Sequence, residues 1–124
     1  MKYISTTMLL LLIQLAVAGE PVLPGALEAG WQGRKVCELL HEDEKIRTLR
    51  CTFPPGVGHE RHYHPAHFGY TLKGGSTMRI TDASGDREVP VKSGGTWEST
   101  GVPWHSVVNI GDTTTQYLIV EKKY

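Results

Sequence analysis

The chain has 124 residues with 13 acidic side chains, 13 basic side chains and six histidines, so its formal charge balances to zero at neutral pH. The basic residues are spread along the chain rather than gathered on one segment, which leaves no electrostatic footprint for nucleic acid or an anionic membrane surface. Only one compact domain fits in this length.

In chain order, the first segment is MKYISTTMLLLLIQLAVAGEP. Lys2, the apolar run from Met8 to about Ala18 and the small residues Ala16 and Ala18 predict a cleavable secretory signal over residues 1–18. The run falls short of the roughly 20 apolar residues that span a bilayer. A periplasmic or secreted domain is expected, with no membrane attachment once the signal is removed. Residues 19–33 read as an N-terminal loop rich in proline, glycine and alanine, and residues 34–124 as the domain itself.

That domain breaks into short runs divided by PPGVG, KGG, ASGD, SGG, TGVP and IGD, each with glycine or proline where a turn needs it. Strands are expected near residues 34–40, 46–53, 60–64, 67–73, 76–82, 87–92, 96–99, 105–110 and 114–122. No apolar repeat at helical spacing is sustained. Many short strands at intervals of about 8–12 residues predict an all-β antiparallel sandwich or barrel. Folding RKVCELL against IRTLRCTFP about the charged turn HEDEK sets Cys37 opposite Cys51. In an oxidising compartment such a pair forms a disulfide if it is close enough, and otherwise stays as two buried thiols.

The stretch GHERHYHPAHFGY places four of the six histidines within nine positions. Residues two apart on a strand share a face, so His62 and His64 aim at one point while Tyr63 turns away. His105, in the later run HSVVN, completes a three-nitrogen cluster if its strand lies alongside. His59 reads as a loop residue at the rim. Glu60 shares the parity of His62 and His64 and is a candidate for the pocket wall or for orienting an imidazole. Phe53, Trp97 and Trp104 lie beside these motifs, where aromatic rings either pack in a core or line a pocket.

These motifs resemble those of small single-domain cupins. Gly56, five residues and His62-Tyr63-His64 fit the opening of the first cupin motif. His67 stands where that motif carries glutamate, ahead of Gly74. Gly95, His105 and Asn109 match landmarks of the second motif, with STGVPW in place of its proline-x-glycine segment. The resemblance covers roughly Val36 to Val120 and implies a double-sheet jelly-roll barrel. It also implies metal ligation by His62, His64 and His105, with His67 as fourth ligand or just outside the set. One divalent ion is expected, iron, manganese, nickel or zinc.

A metal among neutral imidazoles favours anionic or enolisable oxygen ligands. An oxygenase or isomerase acting on a small oxygenated molecule follows from the resemblance, and a non-catalytic module for a small ligand or metal is the other class it allows. Phe68, Tyr70 and Leu72 share the opposite sheet face from His67, and cupins commonly form homodimers through such faces.

Overall fold

The computed structural model describes Ile13 and residues 22–124. Apart from Ile13, the expected secretory signal lies outside the described residues. Among the described residues there are eleven strands and no helix. They are β1 (Gly30–Trp31), β2 (Arg34–Lys35), β3 (Cys37–Glu42), β4 (Ile46–Phe53), β5 (Gly58–His64), β6 (His67–Lys73), β7 (Thr77–Asp82), β8 (Gly85–Pro90), β9 (Thr96–Ser99), β10 (Val102–Asn109) and β11 (Thr115–Lys122).

The strands form a four-stranded sheet in the order β5-β10-β7-β8, a five-stranded sheet in the order β3-β4-β11-β6-β9 and the small hairpin β1-β2. Every named strand pair is antiparallel. This is the expected jelly-roll architecture, with a cavity left between the two sheets. The expected strand at residues 34–40 is divided into β2 and β3, and three others start earlier than expected, β5 at Gly58, β8 at Gly85 and β10 at Val102.

The inward phase of β4 carries Leu49, Cys51 and Phe53, which are buried with Met78, Val91 and Ile119 to form the core. Leu49 pairs directly with Ile119, and Cys51 with Tyr117. On the other side of the five-stranded sheet Phe68, Tyr70 and Leu72 remain 44%, 38% and 39% exposed. Parity along β6 thus separates these residues from buried His67 and Thr71 as expected.

Cys37 and Cys51 are register partners and form a disulfide, their Cα atoms 4.0 Å apart. No free cysteine remains.

Residues 22–33 are more ordered than the expected loop. They carry β1, and they pack on β5 through a parallel bridge between Gly25 and Tyr63 and a hydrogen bond from Tyr63 N–H to the Pro24 carbonyl (3.1 Å). Ala26 and Ala29 are buried there. Arg47 extends this anchorage by donating from Nη1 to Glu28 (3.0 Å).

Asn109, a landmark of the second motif, is fully buried and has every polar atom engaged. Its Nδ2 donates to the Phe53 and Thr113 carbonyls (2.8 and 2.7 Å), and its Oδ1 accepts from Ser76 Oγ and Gly111 N–H (2.6 and 3.0 Å). The amide ties the end of β10 to β4 and to the entry of β7. A buried side chain that satisfies four backbone and side-chain partners is a structural clamp rather than a ligand site.

Candidate metal centre

Strand β10 lies beside β5, and the antiparallel register sets His105 directly opposite His62. Irregularities in the ladder between Val102 and His105, and again between His105 and Val107, turn the strand locally around this point. The result brings His62, His64 and His105 together, with one ligand nitrogen from each lying within 4.8 Å of the others. His62 Nε2 lies 3.0 Å from His64 Nε2 and 3.0 Å from His105 Nε2.

The back of each ring explains what this convergence wants. His62 donates from Nδ1 to the Glu60 carbonyl (2.6 Å), because a carbonyl oxygen can only accept. His64 donates from Nδ1 to Glu121 Oε1 (3.1 Å). When both imidazoles are neutral these bonds place the single proton of each on Nδ1, and the facing Nε2 atoms of His62 and His64 both present lone pairs. Two lone pairs at 3.0 Å repel unless a cation lies between them. That separation is also about what adjacent ligands show when each nitrogen stands about 2.1 Å from a shared ion. The donor set therefore fits a divalent first-row metal.

Burial keeps His62 and His105 in the neutral, ligating form. Desolvation, and then the nearby His59, push His62 down to about 2. Desolvation, and then His64, push His105 down to about 3.

His67 sits beside the cluster and not in it. Its Nδ1 donates to the Pro65 carbonyl (2.8 Å), the same i−2 arrangement that orients His62. Its Nε2, however, accepts the indole N–H of Trp97 (3.2 Å). Trp97 can reach it because β9 pairs with β6 and Gly69 lies opposite Trp97. A Cβ at Gly69 would stand 2.1 Å from the indole ring, so only glycine lets the ring lie flat over the strand. Trp97 also meets Tyr117 edge-on, with ring centroids 5.1 Å apart.

His59 is not a rim residue. The early start of β5 carries it inside, where it is 2% exposed and stacks on His62 with ring centroids 3.7 Å apart. It donates from Nε2 to the Ala26 carbonyl (2.9 Å), which couples the N-terminal segment to a candidate ligand.

Trp97 and Phe53 line the cavity, whereas Trp104 and Glu60 do not. Trp104 is adjacent to His105 on the strand, so its ring takes the opposite side and lies under the Arg61 guanidinium at 4.0 Å. The Glu60 side chain is exposed and accepts the Gln32 N–H (2.9 Å). The orienting carboxylate is instead Glu121, on β11. It is 1% exposed, and its Oε2 accepts from Arg47 Nη2 and Nε (2.9 and 3.2 Å). Burial alone would raise its pKa, but the bonds from His64 and Arg47 outweigh this and hold it below the usual glutamate range. The signal in the sequence was parity: Tyr117 and Ile119 face inward, and Glu121 follows in the same phase.

No protein-family profile matches this chain, and no curated protein does. Solved structures do match. A cupin domain from Bordetella pertussis Tohama I aligns with a TM-score of 0.67 at 19% identity, over 86% of this chain and all of the other. A predicted oxalate decarboxylase from Thermotoga maritima aligns at 0.51 with 24% identity, over 68% and 76% of the two chains. The DMSP lyase DddQ from Ruegeria pomeroyi DSS-3 aligns at 0.54 with 17% identity, over 69% and 45%. At these identities the likeness is one of fold, and that fold is the cupin barrel.

Proposed function

We propose that this chain, a single-domain protein with the cupin fold, holds one divalent first-row metal ion on His62, His64 and His105 and uses it on a small oxygenated organic molecule. The observation that carries the reading is the pair of opposed Nε2 lone pairs on His62 and His64, each fixed from behind, with His105 completing the triad. A bound ion would supply Lewis-acid polarisation of an oxygen ligand and, in the case of iron, a route for electrons to dioxygen. The chain's own residues fix the His62 and His64 rings from behind, burial keeps His62 and His105 unprotonated, and positions stay free of protein donors, since the Trp97 bond occupies His67 Nε2. The structures of a predicted oxalate decarboxylase and a DMSP lyase, similar in fold, support small-molecule chemistry in this cavity.

One observation favours a second reading, a non-catalytic module that binds a small ligand or metal. No aspartate or glutamate contributes to the cavity wall among the described residues, so a carboxylate general acid or base is missing from it. Oxygen uptake by the iron-loaded protein in the presence of a panel of small oxygenated acids separates the two. Substrate-dependent uptake that disappears in His105→Ala supports the enzyme, while binding without turnover supports the module.

The Cys37–Cys51 disulfide supports an exported location, because such bonds persist in oxidising compartments. The exposed Phe68, Tyr70 and Leu72 face supports a homodimer, which sedimentation measurements would test.

A further inference from the structure

The cavity between the sheets has a volume of about 540 Å³ and is open to solvent. Phe53, Trp97 and Tyr117 give it an aromatic wall, and Ile80, Val89 and Ile119 an aliphatic one. Against that apolar lining the only fixed charges among its wall residues are positive, on Arg87 and Lys92.

Arg87 is the more informative of the two. It pairs with Ile80, which pairs in turn with Val107, and all three belong to the cavity wall. Its neighbours Asp86 and Glu88 have the other parity and find partners elsewhere: Asp86 accepts from Thr81 Oγ1 (2.6 Å), and Glu88 lies 3.6 Å from Arg79. Arg87 thus occupies the inward phase of β8, the free edge of its sheet. Its side chain is half exposed, as expected at the cavity mouth. Nη1 donates to Asp82 Oδ2 (2.6 Å), which fixes the guanidinium and leaves its other N–H groups for a ligand. An inward charge also discourages edge-to-edge pairing of β8, a role that requires no ligand.

We infer that the cavity takes an organic anion whose apolar, ring-sized body lies against Phe53, Trp97 and Tyr117 and whose carboxylate is held by Arg87 at the mouth. No carboxylate belongs to the cavity wall, and the one beside Arg87, Asp82, is already paired with it, so repulsion of such a ligand is small. An apolar cation would meet Arg87, Lys92 and the metal with no wall carboxylate to hold it. The inference deepens the proposed function and rests on its placing the functional site in this cavity.

The test compares 2-naphthoate with the neutral 2-naphthalenemethanol by calorimetry, using metal-free and zinc-loaded protein. In the metal-free protein the acid is expected to bind about tenfold tighter than the alcohol, the scale of a charge-assisted hydrogen bond. Arg87→Gln should abolish most of that preference while leaving alcohol binding and the unfolding midpoint unchanged, and Arg87→Lys should retain part of it. Equal binding of acid and alcohol, no binding of either at millimolar concentration, or an unchanged preference in Arg87→Gln overturns the inference. If the protein takes up no metal yet shows the Arg87-dependent preference, the metal reading fails and this one stands. If metal is bound stoichiometrically and the preference is missing, the reverse holds.

Discussion

Glu121 stands behind His64: its Oε1 accepts the imidazole Nδ1–H at 3.1 Å while Arg47 holds its Oε2 at 2.9 Å. A carboxylate in this position fixes the ring's orientation and tautomer and raises the basicity of the nitrogen on the other side. Glu121→Gln keeps the shape but removes the charge. It should lower metal affinity by about 10–100-fold, the usual cost of losing such a partner. Competition against a chelator of known affinity measures this, and wild-type affinity in the variant would show that Glu121 serves only the Arg47 pair.

The Trp97 bond to His67 divides the histidines into ligands and neighbours. His67→Ala should therefore keep one metal per chain, whereas His62→Ala or His105→Ala should lose it. Trp97→Phe removes the indole donor and frees His67 Nε2. In the cobalt-substituted protein, that change should alter the visible absorption spectrum through an added nitrogen ligand. An unchanged spectrum would mean that the Trp97 bond does not control the ligand set.

The disulfide closes a loop with a sequence separation of 14 between two buried positions. Loop-closure entropy for that length gives about 3 kcal/mol of stabilisation. The Cys37→Ser/Cys51→Ser double variant should unfold at lower denaturant by that amount, measured in urea. A loss below about 1 kcal/mol would mean that hydrogen bonding between β3 and β4 alone holds this edge.

Acid should weaken the metal-free fold. Burial, the largest cause in each, depresses His59 to about 4, His62 to about 2 and His105 to about 3, against an unfolded value of 6.5. Between pH 6.5 and about 4 the unfolded chain binds protons that the folded one does not, so stability rises with pH across that window and is lost as pH falls. The slope approaches about 1.4 kcal/mol per pH unit for each histidine that differs fully between the states. Denaturant titrations at several pH values measure it. Metal loading should add stability most strongly near neutral pH and less as protons compete.

Much of this organisation was legible in the residues. His-x-His on a strand converges by parity alone, and the resemblance to the second cupin motif, through its separation from Asn109, marks His105. Cys37 and Cys51 followed from the hairpin about HEDEK. The missed features were long-range ones. The role of Glu121 depends on the pairing of β11 with β4, which sets Arg47 opposite it, and on the facing sheet, whose β5 brings His64 to the same carboxylate. Trp104 and Glu60 lie outside the cavity wall because nearness in sequence to a histidine does not decide which side of the sheet a side chain takes, nor does it show the ladder irregularities beside His105. The glycines before His59 give it the sequence signature of a loop and hide the early start of β5.

The most direct test of the account is metal content set against the integrity of the fold. Protein purified, stripped and reloaded should bind one divalent ion per chain, and His62→Ala/His105→Ala should bind none while retaining the wild-type far-ultraviolet spectrum and a cooperative unfolding transition. A folded wild-type protein that takes up no ion, or a double variant that binds as the wild type does, would contradict it.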